Sequence, residues 1–160
     1  MGTKTEEQLS IINKLKEVYS VRNIKTFRGM EGSGVNSTLY KDGKKACTVD
    51  DEGSGGCLLW GDWNFQTKLN LELGKVGKIA CDGFDLPYDA DFFVEELISD
   101  ALLNKEYKRK CKKKTLIITK DCKEDGQYIQ INFPYSQRVK PELEKRYGDK
   151  LVEIINERFI

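Results

Sequence analysis

The chain has 160 residues, a charged fraction of 33% and a formal net charge of +1. A chain of this length can bury a core without metal or disulfide staples, so we expect one domain over residues 1–160. The near-neutral balance argues against a strongly acidic mimic of DNA and against a wholly basic nucleic-acid binder, which leaves only local charged patches for such roles.

The residue types that the sequence lacks exclude several catalytic and metal-binding arrangements. The sequence contains no histidine, which excludes Ser-His-Asp and Cys-His catalysis. Its five cysteines form no C-x-x-C pair, which excludes a zinc site of the usual spacing and predicts free, mostly buried thiols. No apolar run is long enough to cross a membrane and no signal peptide is visible, so we expect a cytoplasmic protein without a membrane partner.

The first elements are a helix and a hairpin. Apolar residues at helical spacing predict an amphipathic helix over residues 5–20, with Thr5 and Gln8 forming a capping box. The stretch GVNSTLYKDGKKACTV predicts a hairpin, because Asp42-Gly43 supplies a tight turn. The alternation of its first strand predicts two faces, one with Val35, Ser37 and Leu39 and the other with Asn36, Thr38 and Tyr40.

In the middle of the chain, the sequence pattern predicts secondary structure clearly for some stretches and not for others. Residues 24–30 and the stretch CLLWGDW are predicted to be extended. Residues 64–80 leave helix and strand open, because their leucines alternate while two glycines weaken a helix. A central amphipathic helix is predicted over residues 90–110, with acidic residues early and basic residues late.

The elements predicted in the last third of the chain allow the fold class to be predicted. TLIIT and YIQINF predict two strands, SQRVKPELEKRYG a short helix, and LVEIINERF a final strand. Pro141 falls in the first turn of the short helix and Gly148 at its C-terminal end. Hairpins outnumber βαβ units, so the sequence predicts an α+β fold. We expect a mostly antiparallel sheet, an N-terminal helix, a central amphipathic helix and a short C-terminal helix.

Two glycine-rich loops flank the hairpin. GMEGSG, residues 29–34, matches neither G-x-G-x-x-G nor a P-loop, so it is either a plain turn or a nest of N–H groups that holds an anion beside Arg28. The second loop is DDEGSGG. Since the Asp42-Gly43 turn occupies one end of the hairpin, both loops fall at the other end. The sequence therefore predicts that Arg28–Gly34 and Asp50–Gly56 would form any site together.

Acidic and aromatic residues near these loops have open roles. Asp50 and Asp51 could bind a divalent cation through oxygen, but the spacing is not that of an EF-hand and favours a solvated hairpin end. We therefore expect no metal and no cofactor. Trp60 and Trp63 could be platforms on which bases stack or anchors of the core.

The run KEYKRKCKKK, residues 105–114, is the strongest local charge feature. Its cations could follow a phosphate backbone or dock on an acidic partner. Alternatively, they are only the solvent-exposed end of a helix, where positive charge is favoured. The residues of this candidate patch are Lys108, Arg109, Lys110, Lys112, Lys113 and Lys114.

The hairpin, the helix that follows LPYDAD and the basic stretch together resemble a group of small, uncharacterised proteins of phages and prophages. The shared pattern is G-x-G-x-N-x-x-L-Y-x-D-G-K-K, then D-D-x-x-x-G-G and an aromatic, then L-P-x-D, and it covers about residues 24–156. The resemblance lends no catalytic residues. It implies a small cytosolic accessory protein, acting in a bacterial host cell, of a kind that commonly interferes with host defences.

These observations favour binding over catalysis, because no candidate nucleophile has a visible activator. We expect a counter-defence protein that sequesters a small anionic, nucleotide-like ligand, or alternatively an inhibitor that docks on a host defence protein or a nucleic acid through residues 105–114. A metal-dependent hydrolase using Asp50, Asp51 and Asp62 is less favoured. Exposed sheet edges could also pair in a homo-oligomer. The candidate ligand-binding residues are Arg28, Glu31, Gly34, Asn36, Asp50, Asp51, Trp60 and Trp63.

Overall fold

A computed structural model describes residues 3–124 and 126–160. The chain divides into two compact units, Met1–Ser99 and Asp100–Ile160, and each is described by itself. The predicted α+β fold is confirmed, with helices and antiparallel sheets in the described residues. That residues 1–160 form one domain stays a prediction. Among the described residues, no helix combines the length and the apolar character needed to cross a bilayer.

The elements follow one another with short connections. In chain order they are α1 (Glu6–Val18), β1 (Tyr19–Arg28), β2 (Ser33–Lys41), β3 (Lys44–Asp51), β4 (Leu59–Trp60), α2 (Trp63–Leu73), β5 (Lys78–Cys81), β6 (Phe84–Pro87), α3 (Ala90–Lys110), β7 (Thr115–Thr119), β8 (Ile129–Ile131), α4 (Val139–Tyr147) and β9 (Leu151–Ile154). Short 3₁₀ helices lie at Gly148–Lys150 and Ile155–Phe159.

The first unit is built on a four-stranded antiparallel sheet in the order β1-β2-β3-β4. The predicted hairpin is confirmed: β2 and β3 pair through the Asp42-Gly43 turn, in which both residues have positive φ. The capping box of α1 is also present, with the Gln8 N–H donating to Thr5 Oγ1 at 3.1 Å. Strand β1 begins at Tyr19, earlier than the sequence indicated.

One face of this sheet packs against helices. Leu39 and Val49 are fully buried on it. The Tyr19 ring meets Phe65 of α2 and Phe93 of α3 edge-on, with ring centroids 6.2 and 5.7 Å apart. Because the aromatic and aliphatic groups of three elements interdigitate here, this side of the sheet forms the core of the first unit.

Two stretches were not settled by the sequence. Residues 64–80, for which helix and strand were both open, lie mostly in helix α2, whose first turn is capped by the Asp62 carboxylate accepting from the Phe65 N–H at 3.1 Å. The hairpin β5–β6 was not foreseen, although its Asp82-Gly83 turn carries the same positive-φ pair as the first hairpin.

The second unit holds a three-stranded antiparallel sheet in the order β8-β7-β9. Ile117, Leu143 and Ile154 form one of its buried clusters, so strand β7 and helix α4 pack as amphipathicity predicts. The predicted final strand is partly wrong, since pairing ends at Ile154 and the chain continues as 3₁₀ helix.

A buried amide ties the C-terminal segment to the start of β7. The Asn156 side chain is 5% exposed; its Oδ1 accepts from the Leu116 N–H at 2.8 Å, and its Nδ2 donates to the Lys114 carbonyl at 2.8 Å. Since Leu116 is fully buried, no water can replace this acceptor. The side chain therefore holds the 3₁₀ segment against the sheet.

We expect Asn156→Ala to lower the free energy of unfolding by about 1–3 kcal/mol, because it leaves the buried Leu116 N–H without an acceptor. Urea unfolding followed by circular dichroism measures this, and hydrogen exchange should show faster exchange at the Leu116 amide. Asn132→Ala, at an exposed position in the same unit, is the control and should stay within about 0.5 kcal/mol of the parent. Equal midpoints for Asn156→Ala and the parent would contradict the role of the side chain.

Candidate functional site

The two glycine-rich loops lie against each other, as the sequence predicts. The Glu31 N–H donates to the Gly53 carbonyl at 2.8 Å. Gly29 and Gly53 touch through their backbones: a Cβ on Gly29 would lie 2.7 Å from the Gly53 Cα, which leaves no room for a side chain. The glycines of these loops therefore serve a close backbone approach at one end of the sheet.

Three N–H groups, those of Gly29, Glu31 and Gly53, donate within the loops themselves. The Gly29 N–H donates to the Gly32 carbonyl at 2.6 Å, and the Gly53 N–H donates to Asp51 Oδ1 at 2.8 Å. The Glu31 carboxylate also lies over Gly55, with Oε2 2.7 Å from where a Cβ would stand. An anion nest needs N–H groups that point outward, so the loops favour a structural closure of the sheet over a nest.

An open depression of about 660 Å³ lies on the first of these loops. It is lined by eight consecutive residues, Thr26–Ser33, and includes the exposed Arg28 and Met30. Arg28 is the last residue of β1 and pairs with Ser33. The candidate residues Arg28 and Glu31 thus share one depression.

The side of the four-stranded sheet opposite Leu39 and Val49 reaches these loops and carries mostly polar residues. Directly paired residues of neighbouring strands point to the same face, so the register defines this surface. We call it the open face, and its residues are Ser20, Arg22, Lys25, Phe27, Asn36, Thr38, Tyr40, Lys45, Thr48, Asp50 and Leu59. Most of these are exposed, whereas Leu39 and Val49 on the opposite side are fully buried.

Three cations lie on the open face. Arg22 and Lys25 come from β1 and Lys45 from β3. Within residues 3–124 and 126–160, none of the three forms an ion pair. Asp50 is the acidic residue of this face, and its Oδ1 accepts weakly from the Ser37 N–H at 3.4 Å. The surface therefore has an excess of positive charge that the chain itself leaves uncompensated.

Two flat aromatic positions lie among these cations. The Arg22 guanidinium lies over the Tyr40 ring, 4.5 Å from its centroid, which places a planar cation against an aromatic ring on the surface. Phe27 pairs with Gly34, and its ring lies on the glycine so closely that a Cβ there would overlap the ring. Gly34 therefore allows Phe27, which is 39% exposed, to lie across the strand with part of its ring accessible to solvent.

Asn36 and Asp50 lie side by side between the two aromatic positions. They are direct cross-strand partners on β2 and β3. Asn36 is exposed, and its side chain makes no hydrogen bond to another described residue. Amide and carboxylate groups at an exposed position can donate and accept hydrogen bonds with the edge of a bound base.

A bulge in β1 sets which residues reach the open face. The register shifts between Arg22 and Lys25, and Asn23 in this interval has a φ of 56°. Asparagine tolerates this left-handed conformation better than most residues. The bulge also twists the outer edge of β1, which carries no partner strand in the described part of the chain.

The other candidate residues of the first unit lie elsewhere. Asp51 pairs with Val35 on the helix-covered side of the sheet. Trp60 also faces that side, and its Nε1 donates to Asp91 Oδ1 at 2.7 Å, so it anchors the sheet on α3. Trp63 begins α2 and is 77% exposed. Of the eight predicted ligand-binding residues, the open face holds Asn36 and Asp50 and has Gly34 as the support of Phe27.

Asp91 was missed as a structural centre, because the sequence suggests only a helix cap. Its carboxylate accepts from the Leu58 N–H at 3.2 Å, the Trp60 indole at 2.7 Å and the Gln66 amide at 3.2 Å. Burial and then the carboxylates of Asp91, Asp51 and Asp89 raise the pKa of Glu95, one turn further along α3. The chain therefore concentrates negative charge on the helix side of the sheet, away from the cations of the open face.

The environment of the thiols bears on their reactivity. Burial raises the pKa of the Cys47 thiol, and burial likewise raises that of Cys111, which keeps both protonated and weakly nucleophilic. All five thiols are free, as expected, but only Cys47 is buried, three are half-buried and Cys57 is exposed, so the prediction of mostly buried thiols is wrong. No group of three or more Cys, Asp and Glu side chains suited to a metal ion occurs in the described residues.

The basic run lies at the C-terminal end of α3 and just beyond. Lys110 is engaged there: its Nζ donates to Tyr128 Oη at 2.6 Å and lies 3.3 Å from Glu106 Oε1. The hydrogen bond to Tyr128, followed by the one to Glu106, raises the pKa of Lys110. Lys114 is half-buried, so four exposed cations of the predicted patch remain, Lys108, Arg109, Lys112 and Lys113.

Comparison of the chain with protein-family models, with curated proteins and with solved structures found no match.

We expect Glu95→Gln to make the protein more stable than the parent at neutral pH, with the difference vanishing near pH 4. An unfolded glutamate ionises at about 4.3, whereas folded Glu95 holds its proton to higher pH, so the parent loses stability as pH rises between these values. Thermal unfolding at several pH values measures the difference.

Glu157→Gln is the control of opposite sign. The hydrogen bonds from Lys140 and Tyr135 lower the pKa of Glu157, so its contribution is present at neutral pH and is lost as pH falls through the folded pKa. This variant should be the less stable one at neutral pH. A stability difference for Glu95→Gln that does not change with pH would contradict the assignment.

Proposed function

We propose that the chain is a binding protein that sequesters an anionic, base-containing ligand of the nucleotide class on the open face. The observation that carries this proposal is the Arg22 guanidinium stacked on Tyr40 beside Lys25 and Lys45, three cations without a carboxylate partner among the described residues. The resemblance to phage accessory proteins gives the proposal a setting, in which removal of a defence signal protects the phage.

The charge of the open face suits phosphate. Guanidinium and ammonium groups form charge-assisted hydrogen bonds with phosphate oxygens, and a guanidinium can do so with two at once. The stacking on Tyr40 already orders the Arg22 side chain. A phosphate that binds there therefore costs less side-chain entropy than one that binds a free arginine.

The planes of the open face suit a base. Rings that lie flat on a sheet can stack on any nucleobase, and a guanidinium plane stacks on bases as well. Part of the Phe27 ring is accessible to solvent, and the planar guanidinium of Arg22 lies over Tyr40. The open face thus combines the two elements that nucleotide recognition requires, a cation for phosphate and a plane for the base.

Binding fits the side chains better than catalysis does. The sequence lacks histidine, and the pKa values of Cys47 and Cys111 are raised rather than lowered. A catalytic thiol is instead exposed and has a pKa lowered by neighbouring positive charge. Sequestration requires only affinity for the ligand, which the cations and the aromatic rings can provide.

We expect Arg22→Ala to weaken the binding of a nucleotide ligand about tenfold or more, a loss of about 1.4 kcal/mol. Isothermal titration with a panel of linear and cyclic nucleotides, on protein freed of co-purified ligand, measures it. Arg22→Lys keeps the charge and loses the plane, so it should recover part of the affinity. Arg138→Ala, at another exposed arginine, is the control and should bind as the parent does. Absence of binding to every nucleotide, whether single or linked in an oligonucleotide, would overturn the proposal, and so would equal affinity for Arg22→Ala and the parent.

A second candidate function is docking on an acidic macromolecule through the basic run. The observation that favours it is the cluster of four exposed cations at one helix end, none in an ion pair with a described residue. A helix C-terminus also favours positive charge for its own stability, so this cluster alone does not require a partner.

Variants that remove the positive charge of one surface at a time distinguish the two functions. If the second function holds, Lys108→Gln with Lys112→Gln and Lys113→Gln should abolish the capture of partners from a bacterial lysate, while Arg22→Ala leaves it unchanged. Glutamine avoids placing negative charge at the helix C-terminus, which would itself destabilise α3. Unchanged capture by the triple variant would count against docking through this run.

A further inference from the structure

The open face is longer than one nucleotide. Tyr40 and Gly34, the residue under the Phe27 ring, lie six positions apart on β2, which is about 20 Å at the rise of an antiparallel strand. Stacked nucleotides advance by about 3.4 Å each along one strand, so this span corresponds to about six stacked nucleotides and to fewer when bases are splayed. A single nucleotide cannot contact both aromatic positions at once.

The charges of the open face are distributed unevenly across the strands. Arg22 and Lys25 come from the edge strand β1, whereas β3, on the other side of β2, carries Asp50 together with Lys45, whose charge offsets that of the carboxylate. A phosphate backbone is attracted to the two cations of β1 and repelled by the carboxylate. A bound chain is therefore oriented with its backbone along β1 and its base edges toward Asn36 and Asp50.

From this arrangement we infer that the ligand is a single-stranded oligonucleotide lying along β1 and β2, with bases stacked at Phe27 and at the Arg22–Tyr40 pair. The inference rests on the proposed function and gives it a substrate class. Flat rings on a sheet surface require bases that are free to unstack, and the bases of a duplex are paired and stacked on each other. The site therefore selects single strands over double strands.

Fluorescence anisotropy with labelled oligodeoxynucleotides of mixed sequence, from a dinucleotide to a dodecamer, tests the inference. We expect affinity to rise with length and to level off at about six to eight nucleotides, where the span of the open face is filled. With three cations on the surface, log K should fall with log salt with a slope of about −2 for a single strand, and Lys25→Ala should reduce the slope by about 0.7.

Substitutions of the aromatic residues locate the binding. Phe27→Ala and Tyr40→Ala should each lower the affinity for an octamer about tenfold or more, as loss of one stacked base does. Phe27→Leu keeps an apolar cover on Gly34 and removes only the stacking plane, so it should lose affinity even if Phe27→Ala fails to fold. Phe133→Ala removes an aromatic residue that is 57% exposed outside the open face and should bind like the parent.

Each outcome decides between the inference and the proposed function. A mononucleotide that binds as tightly as the octamer overturns the inference and leaves the proposed function standing. Equal or tighter binding of a duplex overturns the inference, as does binding that survives the Phe27 and Tyr40 substitutions but is lost in the Lys108, Lys112 and Lys113 triple variant. If neither nucleotides nor oligonucleotides bind, both proposals fail together.

Discussion

The Asp91 carboxylate is the interaction on which the first unit depends. It accepts hydrogen bonds from a backbone N–H before β4, from the Trp60 indole in β4 and from the Gln66 amide in α2. This single carboxylate, at the start of α3 on the helix-covered side of the sheet, thus fixes β4, α2 and α3 relative to one another. Because hydrogen bonds to a charged acceptor are stronger than neutral ones, this small group can define which side of the sheet the helices cover. The opposite side remains exposed as a consequence.

The backbone contact between Gly29 and Gly53 closes the same sheet at its end. The two loops use their own N–H groups and carbonyls, and they place carboxylates rather than donors at the surface. The glycine pattern that first suggests a phosphate loop is therefore better explained as the device that lets two loops cross closely. The chemistry suited to an anion lies along the strands instead, where side chains of opposite character are separated by the sheet itself.

The sequence predicted the elements whose signals agree with one another. The first hairpin carries both an alternating pattern and an Asp-Gly turn, and α3 has an amphipathic pattern together with Asp89 as its cap, which accepts from the Phe92 N–H. In α2 the signals conflict, because Leu69, Leu71 and Leu73 alternate like a strand. The structure buries Leu69 and Leu73, four residues apart, and leaves Leu71 75% exposed. The alternation of β2 predicted that Asn36, Thr38 and Tyr40 share a face, which the register confirms. The contribution of Arg22 and Lys25 to that face was not foreseen, since they belong to a strand whose start and irregularity leave no mark in the hydrophobic pattern.

The bulge in β1 determines which side chains of this strand lie on the open face. In a regular strand, residues three positions apart point to opposite sides, so Arg22 would be separated from Lys25 and Phe27 by the sheet. The bulge at Asn23 restores them to one side. A chain of the same length that paired without the bulge would turn Lys25 and Phe27 toward the helices without altering either side chain, whereas deletion of one residue of the bulge would keep both beside Arg22 on a regular strand. The surface is thus encoded by the irregular pairing at Asn23 as much as by the composition of β1.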